Sequence, residues 1–191
     1  MKSRIKPMRQ GACDRLCGTY AVLNAVSALS RTMTSSDKYA LFRAMSYSAS
    51  AKRTIPADHL WAGIDNEGID NLLDVATQFL QSRFERLSYS RLRRSPSGTA
   101  SDFLERLRQE LNQNSVAIFR VELVNSKHWT VAYKVGKRRI SLIDSVGMDD
   151  LIRDQCCLVR DGFKLRLFPT SVRIVRLRNE NIIAVDAATR S

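Results

Sequence analysis

A cysteine at the start of an apolar helix, a glutamine upstream of it, and a histidine and an aspartate at opposite ends of one hairpin are the residues best suited to act together in covalent chemistry. The first two lie in Gln10-Gly-Ala-Cys13-Asp-Arg-Leu-Cys17-Gly18-Thr-Tyr-Ala-Val-Leu-Asn24. The other two lie in Lys127-His128-Trp129-Thr-Val-Ala-Tyr-Lys-Val-Gly136-Lys-Arg-Arg-Ile-Ser-Leu-Ile-Asp144. A cysteine attacks as its thiolate, and the positive end of a helix favours negative charge. Cys17 sits where the helical pattern begins and is the nucleophile of choice. Gly18 after it leaves room for a substrate carbonyl, and the first-turn amides together with the Gln10 side chain can donate to an oxyanion. Cys13 is the rival thiol; it lacks a following glycine and falls in the lead-in turn.

With the hairpin loop centred on Gly136, His128 and Asp144 face each other across the two strands, and facing residues share one side of a sheet. An aspartate there accepts from one imidazole nitrogen and leaves the other to take the thiol proton. A one-residue change in register would spoil that geometry. Trp129 is first of all a sheet-core residue, with a place lining a narrow substrate groove beside His128 as its functional reading. His59, the other histidine, has no comparable partner nearby.

The elements that must carry these residues follow from periodicity. Val22, Ala25, Val26 and Leu29 mark one buried stripe on a helix starting at Cys17. Further helices are expected over Ser36 to Met45, with Ser35 or Ser36 as cap, over Asn66 to Leu80, and over Ser101 to Asn112. A short strand is expected around Arg86 to Tyr89. Period-two stretches at Ser115 to Leu123, Trp129 to Val135, Arg139 to Ile143, Phe163 to Phe168 and Ser171 to Leu177 predict a largely antiparallel sheet. Helices first and strands afterwards indicate an α+β fold of one domain: a helical lobe over about 10–92, a β-rich lobe over about 100–180, and a boundary loop at Arg93-Arg-Ser-Pro96-Ser-Gly98.

The order of glutamine, Cys-Gly helix, His-aromatic strand and Asp strand, over about residues 10–30 and 115–145, resembles the papain-like cysteine peptidase superfamily. Within it the motifs look most like the small bacterial peptidases that trim double-glycine leader peptides. Josephin-type deubiquitinases are a second resemblance, through compact size and the His-Trp hairpin. The resemblance implies a papain-like fold, with a helical lobe carrying the nucleophile packed on an antiparallel sheet, and a peptide or protein substrate. It further implies Gln10 as oxyanion donor, Cys17 as nucleophile, His128 as general base and Asp144 as the orienting acid. Gln10 stands about a residue further from the cysteine than the usual pattern. A thiol acyltransferase would use the same nucleophile and base.

The 191 residues suit a single domain with a real core, since 44% are hydrophobic and 26% charged. No apolar run approaches a membrane span, and no Sec-type signal follows the basic N-terminus, so a cytoplasmic location is expected. Cys13, Cys17, Cys156 and Cys157 are too few and too irregular for a disulfide framework, and they lack the Cys-x₂-Cys spacing of a zinc knuckle; neither metal nor cofactor is expected. A net charge of +12 suggests attraction to an acidic protein or to nucleic acid. The charge is spread along the chain, with short clusters at Arg91, Arg93, Arg94 and at Lys137, Arg138, Arg139. The class alternative to an enzyme is therefore a basic binding module without turnover.

Overall fold

The computed structural model describes residues 7–10, 16–30, 32–51, 63–83, 85–92, 98–123, 126–159 and 164–179. In chain order the helices are α1 (Cys17–Leu29), α2 (Ser35–Ala51), α3 (Asn66–Gln81) and α4 (Ala100–Glu110). The strands are β1 (Glu85–Arg91), β2 (Ser115–Leu123), β3 (Ser126–Val135), β4 (Arg139–Ile143), β5 (Asp150–Ile152), β6 (Cys156–Cys157) and β7 (Leu165–Asn179). The fold is α+β. The sheet runs in the order β1-β7-β2-β3-β4-β5 with antiparallel neighbours, and β6 pairs with β7 in parallel.

Both faces of this sheet are covered, which explains why Val116, Ala117, Ile118 and Phe119 are apolar without alternation. One face packs against α1, α2 and α3 through Val116, Ile118, Trp129, Val131, Ile143 and Val175. The other packs against α4 through Ala117, Phe119, Ala132, Leu142 and Ile174. β1 lies in the segment assigned to the helical lobe, yet it joins the sheet as an edge strand on β7.

Three local expectations change on inspection. The α2 cap is Thr34, not Ser35 or Ser36: the Thr34 hydroxyl accepts from the Asp37 N–H at 3.2 Å while the Asp37 carboxylate accepts from the Thr34 N–H at 2.9 Å, a reciprocal cap. The two strands expected over 163–177 are one long strand. Its register against β2 jumps between Ile118↔Arg173 and Arg120↔Phe168, and Pro169 falls in the bulge, where no ladder N–H is required. The Ser171 hydroxyl bridges this gap by accepting from the Arg120 N–H at 2.9 Å and donating to the Phe168 carbonyl at 2.6 Å. Finally, α1 is buried on more than a stripe, because Ala21 and Leu23 are covered as well as Val22, Ala25 and Val26.

The approach of α1 to α3 is set by small residues. A Cβ on Gly18 would lie 3.2 Å from Ile69 and 3.3 Å from Ile64, and one on Gly68 would lie 2.1 Å from the Ile64 Cγ2. Ile64 is thus wedged between two glycines, and its carbonyl accepts from the Trp129 indole N–H at 2.7 Å. That single residue ties the start of α1, the start of α3 and the start of β3 together. On the far side of α3, the fully buried Arg173 of β7 grips Asp70 with two guanidinium nitrogens, holding helix to sheet.

Gly68→Ala tests the wedge. In an exposed helix the change would stabilise by up to about 1 kcal/mol. Here the overpacking against Ile64 reverses the sign, and urea unfolding should show a loss of about 1–3 kcal/mol.

Candidate active site

Cys17, His128 and Asp144 meet at the end of the sheet where β3 begins. The Cys17 side chain is the first residue of α1, whose cap position is Leu16. A leucine has no side-chain acceptor for the first-turn amides, and the first turn holds no acidic residue, so the sulfur occupies the positive end of the helix. Cys17 is 7% exposed and His128 5% exposed, which keeps both largely out of bulk water.

The His128 Nε2 lies 2.7 Å from the Asp144 Oδ2. That contact commits Nε2 to the carboxylate and leaves Nδ1 for the thiol. The imidazole also interacts with the Cys17 side chain.

The route by which His128 and Asp144 meet differs from the expected facing pair. Val131 pairs with Ile143 and Ala132 with Leu142, whereas nearer the loop Lys134 pairs with Ser141 and Val135 with Ile140. The loop is therefore centred between Lys137 and Arg138, not on Gly136, and it is closed by the Gly136 N–H on the Arg139 carbonyl at 2.8 Å. Asp144 lies just beyond the paired part of β4. Tyr133 is an extra residue on β3, and it restores the phase that the loop shifts by one. Without it, the pleat would carry His128 and Asp144 to opposite faces.

Asp144 is held by its own loop. Its Oδ1 accepts from the N–H groups of Val146 at 2.8 Å, Gly147 at 3.1 Å and Met148 at 3.3 Å. Gly147 makes this turn at φ 96°, a conformation that side-chain-bearing residues rarely adopt. Burial pushes the Asp144 carboxyl up, but the His128 hydrogen bond and charge, with the Val146 N–H, hold it below the usual carboxylate value. Burial likewise disfavours charge on His128. The Asp144 hydrogen bond and the Cys17 contact outweigh it and raise the imidazole from 6.5 to about 9.

Gln10 is docked beside this loop. Its N–H donates to the Ser145 carbonyl at 3.1 Å, and the Ser145 hydroxyl donates to its Oε1 at 3.3 Å. The segment leading to it is pinned to α1 by buried Asn24, which accepts from the Met8 N–H at 2.7 Å and donates to the Met8 carbonyl at 3.1 Å. Asn24 and Ser145 were not singled out from sequence. Each is an ordinary polar residue whose partner lies many positions away.

Two expected groove residues serve packing instead. Trp129 is 2% exposed, belongs to the core under α1 and spends its N–H on Ile64. Gly18 is buried against Ile64 and Ile69, so its missing side chain admits a neighbouring element and not a substrate. Cys13, His59, Arg93 and Arg94 lie outside the described residues. Arg91 pairs with Asp70 at 3.0 Å, and Arg139 with Asp150 at 2.7 Å. Among the described residues, no group of three or more His, Cys, Asp or Glu side chains is placed to hold a metal ion, and no helix is long and apolar enough to cross a membrane.

No protein-family description and no curated protein matches the chain. Among solved structures it is similar to the Pseudomonas avirulence protein AvrPphB, at 8% identity over 85% of this chain and 90% of that one, with a TM-score of 0.38. A likeness of that size carries no assignment.

The raised imidazole has a sign that stability measurements can read. Its contribution is fully present below about pH 6.5 and is lost as pH rises through about 9. Asp144→Asn keeps the acceptor for the three loop N–H groups but removes the charge that raises His128. The fall in unfolding free energy between pH 6.5 and 9 should therefore be shallower in Asp144→Asn than in the wild type. Parallel curves would show that the carboxylate does not set the imidazole's protonation.

Proposed function

We propose that this chain is a cysteine-nucleophile hydrolase of papain-like architecture, acting on an amide or isopeptide bond of a protein or peptide. The observation that carries the reading is the His128 imidazole, bonded to buried Asp144 through Nε2 at 2.7 Å and interacting with the Cys17 side chain.

In this reading His128 takes the Cys17 proton on Nδ1 and the sulfur attacks the carbonyl carbon. The tetrahedral oxyanion is met by amides at the start of α1 and by the side chain of Gln10, which the Ser145 contacts hold near the loop. His128 returns the proton to the leaving nitrogen as the carbon–nitrogen bond breaks. Water, deprotonated by the same imidazole, then cleaves the thioester and restores the thiol. Asp144 keeps the imidazole oriented and stabilises its charged form throughout. Transfer of the acyl group to an amine instead of water would use the same steps and gives the acyltransferase variant.

Mapping iodoacetamide adducts by mass spectrometry tests this directly. Cys17 should be the fast-reacting thiol, ahead of Cys13, Cys156 and Cys157. His128→Ala should slow its alkylation by about 100-fold or more, the low end of what a positioned base contributes. Asp144→Asn should slow it less, since it leaves the imidazole in place. Preferential labelling of Cys13, or a Cys17 rate indifferent to His128, would remove this reading. The basic binding module would then be the better account if nucleic-acid binding, weakened by salt, were untouched by both substitutions.

A further inference from the structure

The sheet end that carries His128 also carries a concentration of positive charge that the chemistry above does not use. Arg120 of β2 stands between Phe168 of β7 and Trp129 of β3, and one pleat further along Glu122 stands between Arg166 and Lys127. Opposed residues share a face, and Trp129 faces α1, so both rows lie on the α1 side of the sheet. The Arg120 and Arg166 guanidinium carbons are each 4.8 Å from the centre of the Phe168 ring, and the Lys127 Nζ is 5.7 Å from it. Lys127 immediately precedes His128.

Two carboxylates answer these three cations. Glu122 reaches Arg166 at 3.5 Å, and Asp65 acts on Arg120 electrostatically. Among the described residues, the Nε atoms of Arg120 and Arg166 and the Oε2 of Glu122 are buried without a hydrogen-bond partner, and burial disfavours the charge on Arg120. An unsatisfied buried donor on a cation is costly, and an anion held by the outer guanidinium nitrogens would offset the charge without reaching the buried Nε. The bulge around Pro169, pinned by Ser171, is what brings the Phe168 ring opposite Arg120.

We propose that Arg120, Lys127 and Arg166, gathered around Phe168 on the α1 side of the sheet at the end where β3 begins, form a subsite that recognises an acidic side chain of the protein or peptide presented to Cys17. The proposal rests on the hydrolase reading and names the chemistry of its substrate. A carboxylate suits the site because planar guanidinium forks match carboxylate geometry. A nucleic acid suits it less: the cations converge on one ring instead of following a backbone, and they occupy the ring that a base would stack on.

The test uses short peptides tipped with a vinyl sulfone, in pairs identical except for Asp or Asn scanned through successive positions, with adduct formation at Cys17 followed by mass spectrometry. At one position the Asp member should react about tenfold faster, the scale of one charge-assisted hydrogen bond. Lys127→Gln, a change at an exposed residue, should bring the ratio towards one, as should Arg120→Gln and Arg166→Gln. A ratio near one at every position overturns the subsite even when iodoacetamide labelling of Cys17 depends on His128. The same peptides without the electrophile, bound to the whole chain and read by fluorescence anisotropy, report the patch if Cys17 proves inert. An Asp preference lost in Lys127→Gln then upholds acid recognition and removes only the hydrolase. Tighter, Lys127-dependent binding of a single-stranded oligonucleotide overturns the proposal in favour of a nucleic-acid surface.

Discussion

The distance between a helix that begins with a thiol and a strand that begins with an imidazole depends on how Ile64 is packed. Its side chain fills the space left by Gly18 and Gly68, and its carbonyl takes the Trp129 N–H. A larger residue at either glycine would push α1 or α3 outward, while loss of the indole bond would leave a buried donor unmet. The residues on either side of this contact, Cys17 next to Gly18 and His128 next to Trp129, therefore owe their separation to packing as well as to their own interaction.

A second requirement is electrostatic. Asp144 has no side-chain exposure, and a buried carboxylate is tolerable only if its oxygens are met by donors. One oxygen faces the imidazole and the other receives three loop N–H groups, so the charge is stabilised by the same turn that ends β4. The arrangement couples the loop to the ring: the donors that keep Asp144 ionised also keep His128 basic. The loop's next residue, Ser145, holds Gln10, so the N-terminal segment and the hairpin exit share one anchor.

Two irregularities in the sheet direct its side chains. The extra residue at Tyr133 brings β3 and β4 back into phase, and the bulge around Pro169 turns Phe168 towards Arg120. Without them a regular ladder would put Asp144 on the face opposite His128 and Phe168 on the face opposite Arg120.

Much of this was legible in the residues alone. The helical stripes of α1 and α3, the strands over Ser115–Leu123 and Arg139–Ile143, and the order of helices before strands follow from periodicity, because burying one face of an element imposes a local repeat. The residues at positions 17, 128 and 144 stood out by type and spacing, and the fold brings the three side chains together. What the sequence could not determine is whatever depends on residues distant along the chain. The reciprocal bonds of Asn24 with Met8, the hold of Ser145 on Gln10 and the wedge at Ile64 carry no local signature. The hairpin phase was misread for the same reason: turn residues indicate that a loop exists, but cross-strand hydrogen bonding decides where its centre falls and where an extra residue is absorbed. Trp129 shows the difference clearly: its place on a half-apolar strand already suggested core, but only the fold shows that its N–H is spent on the carbonyl of Ile64.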